Sequence, residues 1–410
     1  MDPLLTGDVT GGDVLIVLLK VVVAFVFLLI AVMFMIWFER KLVSDMQNRV
    51  GPNIAGPWGL FQTFADGVKF FFKEDLKPVR ADLGVFRLAP YLSIIPAFTV
   101  FCIVPIGGNF TGEEDAGVVQ LFGHDTFLQV ADPPIGVLLF LALSSIAVYG
   151  VMLAGWASGS KYPLLGSVRA TAQMVSYEAA LGLSVAAVIL LTGSLSTHAI
   201  VDSQADSLAD WHLVASGFVP FVIFLIAGTA ELNRPPFDLV EAEQEIVGGF
   251  HTEYSSIRFA LFFLAEFMNV ITMSAIIVTL FLGGPAPLFE SVLGVDVMVG
   301  PDLLWGPIWF LAKVFLFLFT FVWFRATLPR FRYDQLMDLG WKALIPLALG
   351  WLLLLGALRI ARDRDWEGAE LIVPILAALA VMSLGYLLLS RAIRAAREDR
   401  EAEGSVEVFD

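Results

Sequence analysis

Residues Ala230 to Tyr254 read AELNRPPFDLVEAEQEIVGGFHTEY. Glu231, Asp238, Glu241, Glu243, Glu245 and Glu253 stand in this stretch against a single arginine, Arg234. A long apolar run lies on each side of it. Carboxylates are cheap to ionise in a water-exposed loop and costly beside a bilayer, where they require partners or a wet cavity. The stretch therefore reads as a chemically committed connection between two membrane spans. Pro235-Pro236 stops the preceding helix, which leaves irregular or re-entrant backbone behind it. Such backbone survives at membrane depth only when buried in protein or facing a wet cavity.

Composition agrees with a polytopic membrane protein. Of 410 residues, 58% are hydrophobic and 16% charged, against about 25% charged in soluble domains. The net charge of -15 argues against a nucleic-acid partner. Cys102 is the only cysteine, which excludes a cysteine-ligated iron–sulfur cluster, a cysteine zinc site and an internal disulfide. His124, His198, His212 and His251 lack metal-ligand spacing, so no metal site is expected. The first apolar run ends in Phe38-Glu39-Arg40-Lys41 without a small-residue cleavage site and reads as a retained helix.

Spans of about 20 apolar residues are predicted at about 13–38, 86–107, 134–157, 178–194, 214–231, 256–282, 303–325, 341–360 and 369–391. The fold class is thus all-α: eight core transmembrane helices, an interfacial amphipathic helix and a ninth, C-terminal span. The expected division is a membrane domain over 1–365 and a C-terminal extension with an acidic tail over 366–410. The segment 40–87 carries Arg40, Lys41, Arg49, Lys69, Lys73, Lys77, Arg80 and Arg87, whereas 108–133 carries no Lys or Arg. This asymmetry puts the N-terminus outside and the acidic loop 232–258 on the cytoplasmic side. Segment 359–368, with Arg359, Arg362 and Arg364, breaks the alternation.

The interfacial helix lies in Trp58–Lys73. Trp58, Phe61, Phe64, Val68, Phe71 and Phe72 fall at three- and four-residue spacing, opposite Gln62, Asp66, Lys69 and Lys73. Such a helix anchors the chain at the membrane surface or walls a portal for an amphiphile leaving the lipid. Pro57 is expected at its first turn.

The remaining charges have competing readings. Glu39 and Arg40 form either an interfacial pair that snorkels or something more specific, and Lys20 is expected to snorkel outward. Glu178 is expected at the start of the fourth span, favoured there by the helix dipole. Glu231 and Arg234, three residues apart, can form a structural ion pair. Glu266 lies well inside the sixth span and should face the bundle interior as part of a path or a pair; Lys313 in the seventh span is a candidate partner. Glu241, Glu243 and Glu245 repeat every second residue, close enough that they cannot all ionise cheaply.

Four blocks together resemble the H-subunit family of proton-pumping NADH–quinone oxidoreductase, respiratory complex I. They are Glu39-Arg40-Lys41 continuing to Arg49-Val50-Gly51-Pro52-Asn53; Gly155-Trp156-Ala157-Ser158-Gly159-Ser160-Lys161-Tyr162 continuing to Ser176-Tyr177-Glu178; the acidic loop; and Arg325-Ala326-Thr327-Leu328-Pro329-Arg330-Phe331-Arg332-Tyr333-Asp334-Gln335. The resemblance implies a bacterial plasma-membrane protein that forms much of a quinone chamber and its opening to lipid. It implies ubiquinone or menaquinone as substrate, with flavin and iron–sulfur clusters on partner subunits. By position, Glu39, Arg40, Asp66, Phe61 and Phe64 would belong to the chamber and its opening. Glu178, Glu231, Arg234, Glu241, Glu243, Glu245, Glu253 and Glu266 would belong to a proton path. Arg330, Arg332 and Asp334 would meet the peripheral arm. Three other readings stand beside this one: the equivalent membrane component of a membrane-bound hydrogenase, a self-contained proton or cation antiporter, and a membrane anchor. Acids clustered at one side and no visible repeat weigh against the antiporter, and Glu266 weighs against the anchor.

Overall fold

A computed structural model describes residues 2–5, 10–108, 110, 117–205, 207–239, 246–287 and 302–364, with isolated residues 376, 380, 383 and 391. The described residues are mostly helical: α1 (Gly11–Met46), α2 (Gln62–Phe72), α3 (Leu83–Phe101), α4 (Gly136–Ala157), α5 (Lys161–Thr192), the short α6 (Thr197–Asp202) and α7 (His212–Ala215), α8 (Val219–Glu231), α9 (Ser256–Phe281), α10 (Asp302–Thr327), α11 (Tyr333–Leu339) and α12 (Ile345–Asp363). Among the described residues seven helical stretches are long and apolar enough to cross a membrane, with α11 and α12 counted as one, and α8 is a shorter apolar helix. The ninth span expected at 369–391 and the acidic tail lie almost entirely outside the described residues.

The helices form where apolar runs meet end signals. Thr10 caps α1 reciprocally with Asp13, as a capping box does. Asp82 caps α3 through the amides of Gly84 and Val85, and Gly193 ends α5 in a left-handed conformation, the usual role of glycine there. Helix α9 is the centre of the bundle, with 72% of its apolar window buried against 17% for α1. In lipid, apolar burial gains only packing, because the alternative solvent is itself apolar. The bundle is therefore specified by close approaches and buried polar contacts. At Gly150 of α4, a Cβ would come within 2.9 Å of the Ser93 amide nitrogen and 3.0 Å of the Ala89 carbonyl of α3, so only glycine lets these helices pack this closely.

Several local expectations change. The fourth span is the C-terminal half of the 32-residue α5, so Glu178 lies in mid-helix and does not open it. The polar run Ser167–Gln173 lowers hydropathy without breaking the helix, because Ser167 and Gln173 are buried in protein. Helix α2 starts at Gln62; Pro57 belongs to a separate turn, Pro57–Gly59, and Trp58 there has φ +52. A two-stranded antiparallel hairpin, β1 (Val118–Leu121) and β2 (His124–Phe127), occupies the connection between α3 and α4. Phe122 and Gly123, both at positive φ, make its turn, as tight hairpins require. Lys20 does not snorkel. Its ammonium donates to Asp2 at 2.7 Å and to Thr126, and Thr126 donates to Asp2 at 3.0 Å, so α1 is tied to the hairpin.

Candidate functional site

The site begins near the C-terminal end of α1. Glu39 is buried because α1 runs on past it to Met46, which places its carboxylate inside the bundle. It accepts from Arg234 Nη1 at 3.2 and 3.3 Å and from Arg325 Nη1. Arg234 Nη2 lies 3.1 Å from Glu266 Oε1, an ion contact not aligned as a hydrogen bond, and its guanidinium sits 4.5 Å from the Phe267 ring centre. Two acids and two arginines from α1, the segment after α8, α9 and α10 thus form one charge-balanced cluster. Glu39 and Arg234 are buried, Glu266 is half-buried and Arg325 is exposed; burying the central pair is tolerable only because each finds a counter-charge.

This cluster overturns two pairings expected from spacing. The described partners of Arg234 are Glu39 and Glu266, although Glu231 is only three residues away: α8 ends at Glu231 and the backbone turns before Arg234. Lys313 is not the partner of Glu266. It donates to the carbonyls of Leu282 at 2.7 Å, Gly284 at 2.9 Å and Ala286 at 2.7 Å, near the opposite end of α9.

Beside the cluster lies a cavity of about 550 Å³ whose wall includes Glu39, Arg40, Arg49, Arg234, Glu266 and Arg325. Arg40 leaves α1 to meet Asp66 of α2 at 2.7 Å, and the Trp37 indole donates to the Trp58 carbonyl at 3.1 Å. At its other end α2 meets α9: the Ser256 hydroxyl donates to the Phe70 carbonyl at 2.9 Å, and the Phe70 and Phe259 ring centres are 5.7 Å apart. The interfacial helix therefore bridges α1 and α9. Phe61 at its start and Phe64 within it are exposed.

Two smaller cavities lie next to this one, sharing wall residues with it or with each other. The first, about 70 Å³, shares Phe263 and Glu266 with the large cavity and reaches Ser93, Glu231, His251 and Asn269. The second, about 40 Å³, shares Glu231 and Asn269 with the first and ends at Ser144 and Thr272. Glu231 shares a cavity wall with Ser144 and lies within electrostatic reach of Glu178; Glu178 in turn accepts from Ser145. Two adjacent serines of α4 thus stand beside the two acids, Ser145 bonded to Glu178 and Ser144 lining the cavity of Glu231. Carboxylates, hydroxyls and an amide along neighbouring cavities can bind water and pass protons.

The other expected site residues are dispersed. Glu241, Glu243 and Glu245 lie outside the described residues. Glu253 is half-buried in the turn after Gly249–His251. Arg330 meets the buried Asp238 at 3.0 Å, while Arg332 and Asp334 are exposed and 3.7 Å apart. The Phe331 amide donates to the Pro236 carbonyl at 3.0 Å, so the Arg330 block docks on the start of the acidic loop. Sequence reading missed Gln173, whose buried amide donates to the carbonyls of Ala230 at 2.8 Å and Phe237 at 2.9 Å and fixes the turn that aims Arg234. It also missed His251, whose burial pushes its imidazole down to about 4 against the opposing pull of Asp238. Among the described residues, no three His, Cys, Asp or Glu side chains converge as a metal-holding group.

Comparison with known proteins matches residues 19–356 to the family described as NADH dehydrogenase. The chain is 49% identical over 393 residues to the H subunit of NADH-quinone oxidoreductase from Frankia alni, covering 93% of this chain and 82% of that one. It is 46% identical to the H subunit from Streptomyces avermitilis, covering 89% and 78%, and 45% identical to that from Cutibacterium acnes, covering 93% and 86%. A charge-balanced cluster with a buried central pair in a multi-pass helical bundle and this extent of similarity lead to one conclusion: the chain belongs to the H-subunit family of NADH-quinone oxidoreductase.

Proposed function

We propose that this chain forms the quinone chamber of a bacterial plasma-membrane NADH-quinone oxidoreductase and transmits the charge change of quinone reduction to a line of acids. The neighbouring cavities with shared walls that lead from the Glu39–Arg234–Glu266 cluster to Glu231 carry this reading. The cavity of about 550 Å³ is of a size that takes a small organic ring, and α2, tied to its wall by the Arg40–Asp66 pair and carrying exposed Phe61 and Phe64, flanks the way in from lipid. Flavin and iron–sulfur clusters sit on partner subunits, and the exposed Arg332–Asp334 surface with Arg330 meets the peripheral arm. The N-terminus is outside and the acidic loop cytoplasmic.

Quinone takes two electrons and two protons to become quinol, and negative charge builds up before protonation is complete. Two charges about 8 Å apart at an effective dielectric of about 20 interact by roughly 2 kcal/mol, about 1.5 pH units in a carboxylate's titration. One such step resets a neighbouring acid but does not cross a membrane. Glu266, facing both the large cavity and the first small one, receives the signal; Glu231 and Glu178 pass it on, with Glu241, Glu243, Glu245 and Glu253 feeding the line from the loop.

Glu266→Gln tests this. The neutral amide keeps the shape and removes the titration. Quinone reduction coupled to proton movement is expected to fall about tenfold or more in the assembled complex, read as turnover and proton uptake in liposomes. Full turnover with full pumping in assembled Glu266→Gln would sink the reading.

A further inference from the structure

Three polar atoms along the small cavities have no hydrogen-bond partner within the protein: Ser93 Oγ, Glu231 Oε2 and Thr272 Oγ1. All three residues are more than nine-tenths buried. Buried polar groups are satisfied almost without exception, and each one left alone costs about 1–3 kcal/mol. The three do not lie in tightly packed apolar surroundings. Ser93 and Glu231 face the cavity of about 70 Å³, and Glu231 and Thr272 face the one of about 40 Å³. At about 30 Å³ per liquid water, these volumes hold about two waters and one.

Asn269 stands between them. It lines both cavities, and its amide has no hydrogen-bond partner among the described residues. Glu266, Asn269 and Thr272 follow one another at three-residue steps on α9, an advance of about 9 Å. A carboxamide offers two donors and an acceptor and does not titrate. It can therefore orient waters on both sides without trapping a proton itself.

We propose that Ser93, Asn269 and Thr272 build water sites between and beyond the two acids, and that Asn269 is the positioning residue that joins the water on Glu266 to the water on Glu231. The inference rests on the acid-relay reading and adds the residues that make the relay continuous. A proton leaving Glu266 passes to the first water, a proton moves from that chain to Glu231 Oε2, and the reverse shift of hydrogen bonds resets the amide. No covalent bond other than O–H is made or broken. The second cavity extends the water past Glu231 towards Ser144, next to the serine that holds Glu178.

The test uses the whole complex in liposomes with four variants: Asn269→Leu, Asn269→Ser, Thr272→Val and Glu231→Gln. Asn269→Leu replaces the amide by an apolar group of similar size and should lower quinone turnover about tenfold, with the KM for quinone within about twofold and a larger solvent deuterium effect on turnover. Asn269→Ser keeps a polar group and leaves room for one more water, so it should retain at least about half of the turnover. Thr272→Val should cost about two- to fivefold. Asn269→Leu with unchanged turnover and unchanged isotope effect overturns the proposal, as does Asn269→Ser failing as badly as Asn269→Leu in assembled complex. If Asn269→Leu does not assemble, Thr272→Val decides: unchanged turnover and isotope effect there overturn the water sites. Full activity in Glu231→Gln instead overturns the relay itself. Impaired Glu231→Gln with unaffected Asn269→Leu overturns the water sites alone.

Discussion

Two buried cations sit against α9, one towards each end, and the helix treats them differently. Arg234 meets two carboxylates, Glu39 and Glu266, and both it and they face a large cavity. Lys313 meets three backbone carbonyls just past the end of α9 and the face of Trp211, 4.6 Å from the ring centre. Leu282 caps the helix and Gly284 and Ala286 follow it in the loop, at the end where the helix dipole favours a positive charge. Lys313 therefore acts as a cap supplied from another helix. Arg234 acts as a counter-ion whose partners can change charge. A buried charge is not by itself a sign of chemistry; the titratable partner and the adjoining space make it one.

Breaking the first site should have the larger effect. Arg234→Met leaves Glu39 and Glu266 without their shared cation. Removing one member of a buried ion network costs about 3–5 kcal/mol. Assembly yield is expected to fall, and turnover per assembled complex to drop more than about tenfold. Native gels and quinone-reduction assays on the same preparation measure both, and normal turnover would erase the contrast with Lys313. At the other end, Lys313→Met removes three charge-assisted hydrogen bonds, a loss of about 2–3 kcal/mol. The thermal midpoint of the complex should fall while turnover per assembled complex stays within about twofold of the parent. A turnover loss without a stability loss would move Lys313 into the functional class.

The smallest effect sharpens the contrast through pH. His251, outside the spanning segments, is neutral in the fold down to about pH 4, whereas the unfolded side chain takes a proton near pH 6.5. Its contribution is fully present above pH 6.5 and is lost as pH falls from 6.5 to about 4, since only the unfolded state binds the proton in that window. By pH 5 this is at most about 2 kcal/mol. Thermal unfolding followed between pH 7 and 5 should show a decline that His251→Phe makes shallower; an equal slope in both would remove this imidazole from the account.

Much of the fold was legible because apolar length is so direct a signal at membrane thickness. Each of the first eight predicted spans falls on an apolar helix, and the amphipathic spacing located α2. Boundaries failed where polar residues sit inside a helix buried by protein, as in the first half of α5, because hydropathy measures lipid contact and not helicity. At the site, the acids themselves were visible as residues that apolar surroundings would not tolerate. Their partners were not. The Glu39–Arg234 pair spans 195 positions and Glu39–Arg325 spans 286, and only the packing of α1, α9 and α10 brings them together. The local rule pairing Glu231 with Arg234 failed because it assumes a continuous helix, and α8 ends between them. Gln173, Asn269 and the Ser144-Ser145 pair had no sequence signal at all, since neutral polar residues are common in spans and only their cavities distinguish them.

Between α11 and α12 the chain makes one wide π turn, Gly340–Leu344. Gly340 lies 3.5 Å from the Tyr177 ring measured from an ideal Cβ position, the Tyr177 hydroxyl donates to the Leu336 carbonyl at 2.8 Å, and the Trp341 indole donates to Ser176 at 3.1 Å. A π turn holds one residue more than an α turn, so it acts as a register shift written into the helix. Deleting one residue here would heal the helix and rotate everything after it by about 100°. The outward side chains Leu347, Leu349 and Leu353 would then turn away from lipid, and the buried Ala348 and Leu355 would leave the bundle. Substitutions along this seam change single contacts, whereas a one-residue change in its length re-addresses an entire helix face.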